Sequence, residues 1–207
     1  MNPKIVKLTV EFDAFAENPC DCDGWKLYSF NTRHTNFRDP YSFFSHVDQD
    51  GTVTTKNIGL NRKLNAGTAF VVSYAEHGLC SWSLLGEGQQ YQWDSTRVAG
   101  ILMWEQGTDN LCYKAYKNED AIRRAVLRYR DRQKDARNFL DWYTNWCNGE
   151  NYNGVVEYED GETQSVGGYT GVDNLKAALK EEFPEIFIEG TIREDIEIDG
   201  EAKGILS

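Results

Sequence analysis

Residues 118–147 read NEDAIRRAVLRYRDRQKDARNFLDWYTNWC, and the spacing of apolar side chains within them predicts one long helix. Ile122, Ala125, Val126, Tyr129, Ala136, Leu140, Tyr143 and Cys147 fall on one stripe, the pattern of a helix that buries one face against a sheet. Asn118 can serve as N-cap, Glu119 and Asp120 suit the first turn, and Asn148-Gly149 stops the helix. The opposite face gathers Arg123, Arg124, Arg130, Lys134 and Arg137. The spacings Glu119 to Arg123, Asp120 to Arg124 and Arg137 to Asp141 are i,i+4 pairs of opposite charge. They favour a solvated face, or one that grips an acidic part of its own chain, over a nucleic-acid site.

On the N-terminal side of this helix the pattern is that of strands. Val6, Leu8, Val10 and Phe12 alternate with polar residues and open the domain as a half-buried strand, and Trp25 to Phe30 follows as a second. Ala69-Phe70-Val71-Val72-Ser73-Tyr74 and Val98 to Trp104 are short apolar runs rich in β-formers, which predicts central strands of one sheet. Between residues 31 and 60 the periodicity fades; Asp39-Pro40 and Asp50-Gly51 mark turns, and Tyr41, Phe43 and Phe44 are expected to be buried. Beyond the helix, Tyr152 to Tyr158 and Glu162 to Val166 flank Asp160-Gly161 as a hairpin, and Gly167, Gly168 and Gly171 loosen the chain. Asp173 then caps a short helix over residues 174–183, with Pro184 behind it. Ile186 to Ile188 and Thr191 to Asp199 are strand-like. The expected fold is therefore α+β: a mainly antiparallel sheet packed against one long amphipathic helix at about 118–147, plus a short C-terminal helix. Residues 1–171 form a single domain in this reading, and 172–207 an acidic helix-strand appendage.

The chain has 207 residues with 33 acids and 22 bases, a net charge of −11. That charge is unevenly spread: residues 114–137 hold nine bases and four acids, whereas 138–207 hold four bases and 16 acids. A surface of that sign repels nucleic acid and anionic lipid and attracts proteins with basic grooves. No apolar stretch is long enough for a membrane span, and Met1 to Phe12 lacks the pattern of a signal peptide, so a cytoplasmic protein is expected. Five cysteines at irregular spacing argue against a secreted disulfide scaffold. Cys20, Cys22, Cys80, Cys112, Cys147 and His77 offer metal-ligating types, but without a second short-spaced pair, and neither metal nor cofactor is expected.

Three segments carry a resemblance: Ala66 to Phe70, then Tyr74-Ala75-Glu76-His77-Gly78, then Gln92-Trp93-Asp94-Ser95 through Gly100. They resemble a family of small phage and prophage proteins with a Y-x-[DE]-H-[SG] segment and a later W-D-S element. Trp142-Tyr143 through Gly171 is similar to that family's helix end, acidic hairpin and closing glycine-aromatic element. The resemblance spans about 66–171 and implies provenance in a virus or mobile element, without an assigned activity. Gly78 stands where many members have Ser, and Thr96-Arg97-Val98-Ala99 replaces the usual Gly-Gln-Val; the first of these weakens any chemistry that needs a hydroxyl beside His77.

His77, Glu76, Asp94 and Ser95 are the residue types suited to acid/base or nucleophilic work, with His77 as base, Asp94 as its orienter and Ser95 or a water as nucleophile. Such a Trp-Asp-Ser segment also suits a capped turn with Asp94 accepting backbone N–H bonds and Trp93 plugging the core. Two acidic clusters suit a protein partner better: Glu157, Glu159, Asp160 and Glu162 on the hairpin, and Asp195, Glu197, Asp199 and Glu201 along the last strand, about 6.6 Å apart on one face. Together these observations favour a phage-encoded acidic protein that binds a host defence or nucleic-acid-binding protein through its basic groove, in the manner of a DNA mimic. Direct nucleic-acid and membrane contacts are not expected, and the oligomeric state is left open. The alternatives are a virion or accessory protein, and a small hydrolase built on His77, Asp94 and Ser95.

Overall fold

The structure, a computed structural model, describes residues 4–48, 50–88, 94–107, 116–188, 191–192 and 197–199. In chain order its elements are β1 (Ile5–Phe12), α1 (Pro19–Cys22), β2 (Trp25–Ser29), β3 (Phe44–Val47), β4 (Val53–Thr55), α2 (Ile58–Ala66), β5 (Ala69–His77), β6 (Leu79–Leu84) and β7 (Ser95–Trp104). There follow α3 (Ala121–Cys147), β8 (Asn151–Tyr158), β9 (Thr163–Thr170), α4 (Val172–Glu182), β10 (Phe187–Ile188), β11 (Thr191–Ile192) and β12 (Glu197–Asp199). The protein is α+β with mostly antiparallel sheets and, among the described residues, four helices, of which α3 with 27 residues is the longest. No described helix is long and apolar enough to cross a membrane.

The chain folds into two compact units, one of residues 18–144 and the other of residues 1–17 with 145–207. The expected boundary at 171/172 thus falls inside the second unit, and the expected single sheet is two four-stranded sheets.

In the unit of residues 18–144 the strand order is β2-β7-β5-β6, every neighbour antiparallel. The apolar runs 69–74 and 98–104 occupy its centre, as their composition predicts, because a strand covered on both faces has no polar side to offer. Their register places Val71, Ile101 and Tyr28 in one row and Phe70, Leu102 and Leu27 in the next. The first row packs with Phe44 and Leu60 from the β3–β4 hairpin and α2. The alternate row faces α3: the Phe70 ring lies 5.7 Å from Tyr129, and the Trp25 indole donates to Asp135 at 2.9 Å. Gly100 is required here, since a Cβ would stand 2.4 Å from the Tyr28 carbonyl oxygen and force β2 off β7.

Helix α3 departs from the expected stripe. Ala136, Phe139, Leu140 and Tyr143 are buried, but Ile122 is 80% and Val126 47% exposed, and Ala125 and Cys147 are exposed too. The burial begins beyond the first two turns, where Tyr129 meets Phe70 of β5. Its N-cap is Asp120 rather than Asn118: the Asp120 carboxylate accepts from the N–H groups of Ile122 and Arg123. Tyr41 is exposed, whereas Phe44 is fully buried and Phe43 packs beside it.

In the unit of residues 1–17 and 145–207 the order is β12-β1-β8-β9; β1, β8 and β9 are antiparallel and β12 runs parallel to β1. Helix α4 lays Leu175 and Leu179 on this sheet, and Phe183 and Ile186 extend the contact to Ile5, Leu8, Val10, Tyr152 and Val156. Each such side chain, fully buried, stabilises the fold by about 1.5–3 kcal/mol. The segment 172–186 therefore gives Leu175, Leu179, Phe183 and Ile186 to the core, and a Cβ on Gly154 would sit 2.9 Å from Leu179 Cδ2. A register shift between Ile5 and Lys7 changes the phase of β1, so Ile5 is buried with Leu8 and Val10 while Val6 is half-buried; Phe12, at the end of the strand, is 59% exposed. Gly167 and Gly168 lie within β9, at an irregularity where Gly168 N–H donates to Asn153 Oδ1.

Candidate functional site

The division of the chain is also a division of charge. Residues 18–144 hold 16 bases and 15 acids, whereas residues 1–17 with 145–207 hold six bases and 18 acids. The first unit is +1 and the second −12, so the second accounts for the whole negative charge.

The hairpin acids of the second unit all face water: Glu157, Glu159, Asp160 and Glu162 are exposed. Alternation explains Glu157, because its neighbour Val156 is completely buried under α4. The turn is built by its own polar groups. Gly161 N–H donates to the Tyr158 carbonyl, Asp160 Oδ1 accepts from Glu162 N–H at 3.1 Å, and Glu159 N–H donates to the Lys4 carbonyl at 2.9 Å. In the last strand, β12 registers Glu197 against Lys7 and Asp199 against Thr9, and Lys7 registers in turn against Glu157. Glu157 and Glu197 therefore share one cross-strand row with Lys7 between them, about 9.6 Å apart at ordinary strand spacing. Asp195 and Glu201 lie outside the described residues. Of the two clusters expected from sequence, Glu157, Glu197 and Asp199 thus fall on strands of one sheet, with Lys7 in the row of Glu157 and Glu197.

His77 and Asp94 do meet. Glu76 N–H donates to the Asp94 carbonyl at 2.9 Å, which brings the carboxylate to the end of β5, and His77 Nδ1 lies 3.2 Å from Asp94 Oδ2. Their side chains are 70% and 47% exposed, so the pair sits in high dielectric, where charge–charge effects on a reacting group are weak. Glu76 is held by the Tyr74 hydroxyl at 2.9 Å, and Ser95 lies on β7 in register with Ala75. Trp93 lies outside the described residues. Of the described cysteines, Cys20 is buried, and Cys22 and Cys147 are exposed. Among the described residues no three His, Cys, Asp or Glu side chains come together in a metal-holding group.

Sequence reasoning passed over a second histidine. His34 lines a pocket of about 250 Å3 with Ser29, Tyr74, Trp82 and Thr96. Its Nδ1 is 2.8 Å from Ser29 Oγ, and its ring stands edge-on to Tyr74 and Trp82 at 5.3 and 5.7 Å. Burial lowers its pKa, against the opposing charge of Glu76, which favours the neutral ring. Ser29 is wholly buried and its Oγ also accepts from Asn31 N–H, so the contact ties the 29–34 turn to the sheet and does not present an open nucleophile. No periodicity in residues 31–60 points to it.

The basic face of α3 does grip its own chain. Arg137 makes two hydrogen bonds to Glu87, at 2.6 and 2.7 Å, and Arg123 pairs with Glu119 at 3.1 Å. Arg137 thus reaches across to the segment after β6 and not along the helix to Asp141. No protein-family model matches the chain, and no curated protein or solved structure is significantly similar to it.

Proposed function

We propose that this chain is an acidic binding protein that seats the carboxylates of its second unit in the basic groove of another protein, a groove that otherwise holds nucleic acid. The observation that carries the reading is the charge partition, −12 against +1. Acidity that served solubility alone would be spread over both units. The exposure of the hairpin acids and the register of Glu197 and Asp199 on the same sheet support the reading. The resemblance of residues 66–171 to small phage proteins supplies the setting, an infected cell, and makes a host defence protein the natural target. The test is affinity purification from host lysate at low and at high salt, with mass spectrometry of what co-elutes. Nucleic-acid-binding proteins retained at low salt and shed at high salt are the expected result. Recovery of none at low salt ends the proposal.

A further inference from the structure

The two sheets end differently. In the unit of residues 18–144 the outer strands are capped by other parts of the chain. On β2, Ser29 N–H donates to the Asn36 carbonyl at 3.1 Å, Ser29 C=O accepts from Arg38 N–H at 2.7 Å, and Leu27 C=O accepts from Asn36 Nδ2 at 2.8 Å. On β6, Trp82 N–H donates to Thr144 Oγ1 at 3.0 Å. The outer side of β9 is covered at its far end, where the Thr170 carbonyl accepts from Asn174 Nδ2 at 2.7 Å, but among the described residues no strand pairs with it.

Its free groups can be assigned. Tyr158 N–H donates to the Glu162 carbonyl at 2.9 Å and opens the β8–β9 ladder. Bonded and non-bonded pairs then alternate, so Glu157↔Thr163 and Val155↔Ser165 are non-bonded pairs. The N–H and C=O groups of Thr163 and Ser165 consequently point off the open edge. Residues 163–170 read TQSVGGYT, without the lysine, inward charge or proline that blunts natural sheet edges, and Thr163, Gln164 and Ser165 are exposed. Eight residues give an edge about 27 Å long.

We infer that this edge of β9 is a docking strand for an extended, lysine- or arginine-bearing segment of a partner protein, an inference that rests on the acidic-surface reading above. Main-chain hydrogen bonds to Thr163 and Ser165 supply the pairing, and Glu157, Glu159, Asp160 and Glu162 at the head of the strand select the charge. A second copy of this chain is disfavoured, since it would bring a −12 surface against its like.

The probe is a synthetic peptide, KVRVKVRV, titrated into the full chain by fluorescence anisotropy. Two controls accompany it, one with every Lys and Arg replaced by Glu and one with alternate backbone amides N-methylated. The basic peptide is expected to bind and the two controls to fail. Ser165→Pro, which deletes an outward N–H and leaves the β8 ladder, is expected to weaken binding about tenfold. In the unsubstituted chain, hydrogen exchange at Thr163 and Ser165 is expected to slow when the basic peptide is added, a readout that does not depend on the variant folding. Equal binding of the N-methylated peptide, unchanged exchange at both amides, or a concentration-dependent dimer that Ser165→Pro abolishes would each overturn strand docking. If strand docking fails while lysate capture remains salt-sensitive, the acidic-groove reading stands. The reverse outcome would retain the docking strand and discard the groove.

Discussion

Both units bury a four-stranded sheet beneath a helix, yet one is close to neutral and the other strongly acidic. Residues 18–144 are close to neutral, neutralise α3 arginines with Glu87 and Glu119, and cover the edges of their sheet with Thr144 and the 31–38 segment. Residues 1–17 with 145–207 concentrate the acids and, among the described residues, pair no strand with the outer side of β9. A protein made acidic only for solubility has no reason to confine its charge to one unit. A protein that recognises a basic partner does, because clustered charge gives a directed field that dispersed charge cancels.

The largest expected effect tests whether the second unit has a core of its own. Phe183→Ala should cost about 3–5 kcal/mol, since the ring is 2% exposed and packs with β1 and β8. Hydrogen exchange should show the loss in residues 5–12 and 151–158; equal loss across β5 and β7 would erase the distinction between the units. Next, Gly100→Ala should cost about 1–3 kcal/mol or more, because the Tyr28 carbonyl it meets is backbone and cannot turn aside. Chemical denaturation would reveal it, and a neutral result would refute the close approach of β2 and β7.

Two smaller effects are titrations in the near-neutral unit. Burial, and then the hydrogen bond to Glu105, pushes the Tyr28 phenol up to about 12. A raised acid pKa stabilises the fold fully below the ordinary tyrosine value near 10 and loses that contribution as pH rises from there through about 12. Tyrosinate absorbance in Tyr28→Phe should lack this late step. The Arg137 hydrogen bonds hold the Glu87 carboxyl below the usual range, so its contribution is present above the ordinary Glu value and lost as pH falls through the depressed one. With both side chains more than a third exposed, solvent screening limits Glu87→Gln to about 1 kcal/mol or less, shrinking with salt.

Local signals reported the local structure. The apolar runs at 69–74 and 98–104, the Asp160-Gly161 turn and the helix through residue 147 are all features whose cause lies within a few residues. What did not show was pairing across the chain: nothing in Ile5 to Phe12 states that its partner is Asn151 to Tyr158, and that pairing creates the second unit. The exposed Ile122 and Val126 mark the same limit, since periodicity identifies a helix face without saying whether a sheet lies beneath it. The His34 pocket was illegible because its walls come from strands β2, β5, β6 and β7.

The most direct measurement compares two fourfold charge reversals for affinity toward the captured partner. One places lysine at Glu157, Glu159, Asp160 and Glu162 of the acidic unit; the other places it at the exposed Asp21, Asp48, Glu76 and Asp94 of the neutral one. Loss of about a hundredfold or more in the first and little change in the second is the expected result. Equal loss in both, or none in either, would contradict the claim that binding resides in the acidic unit.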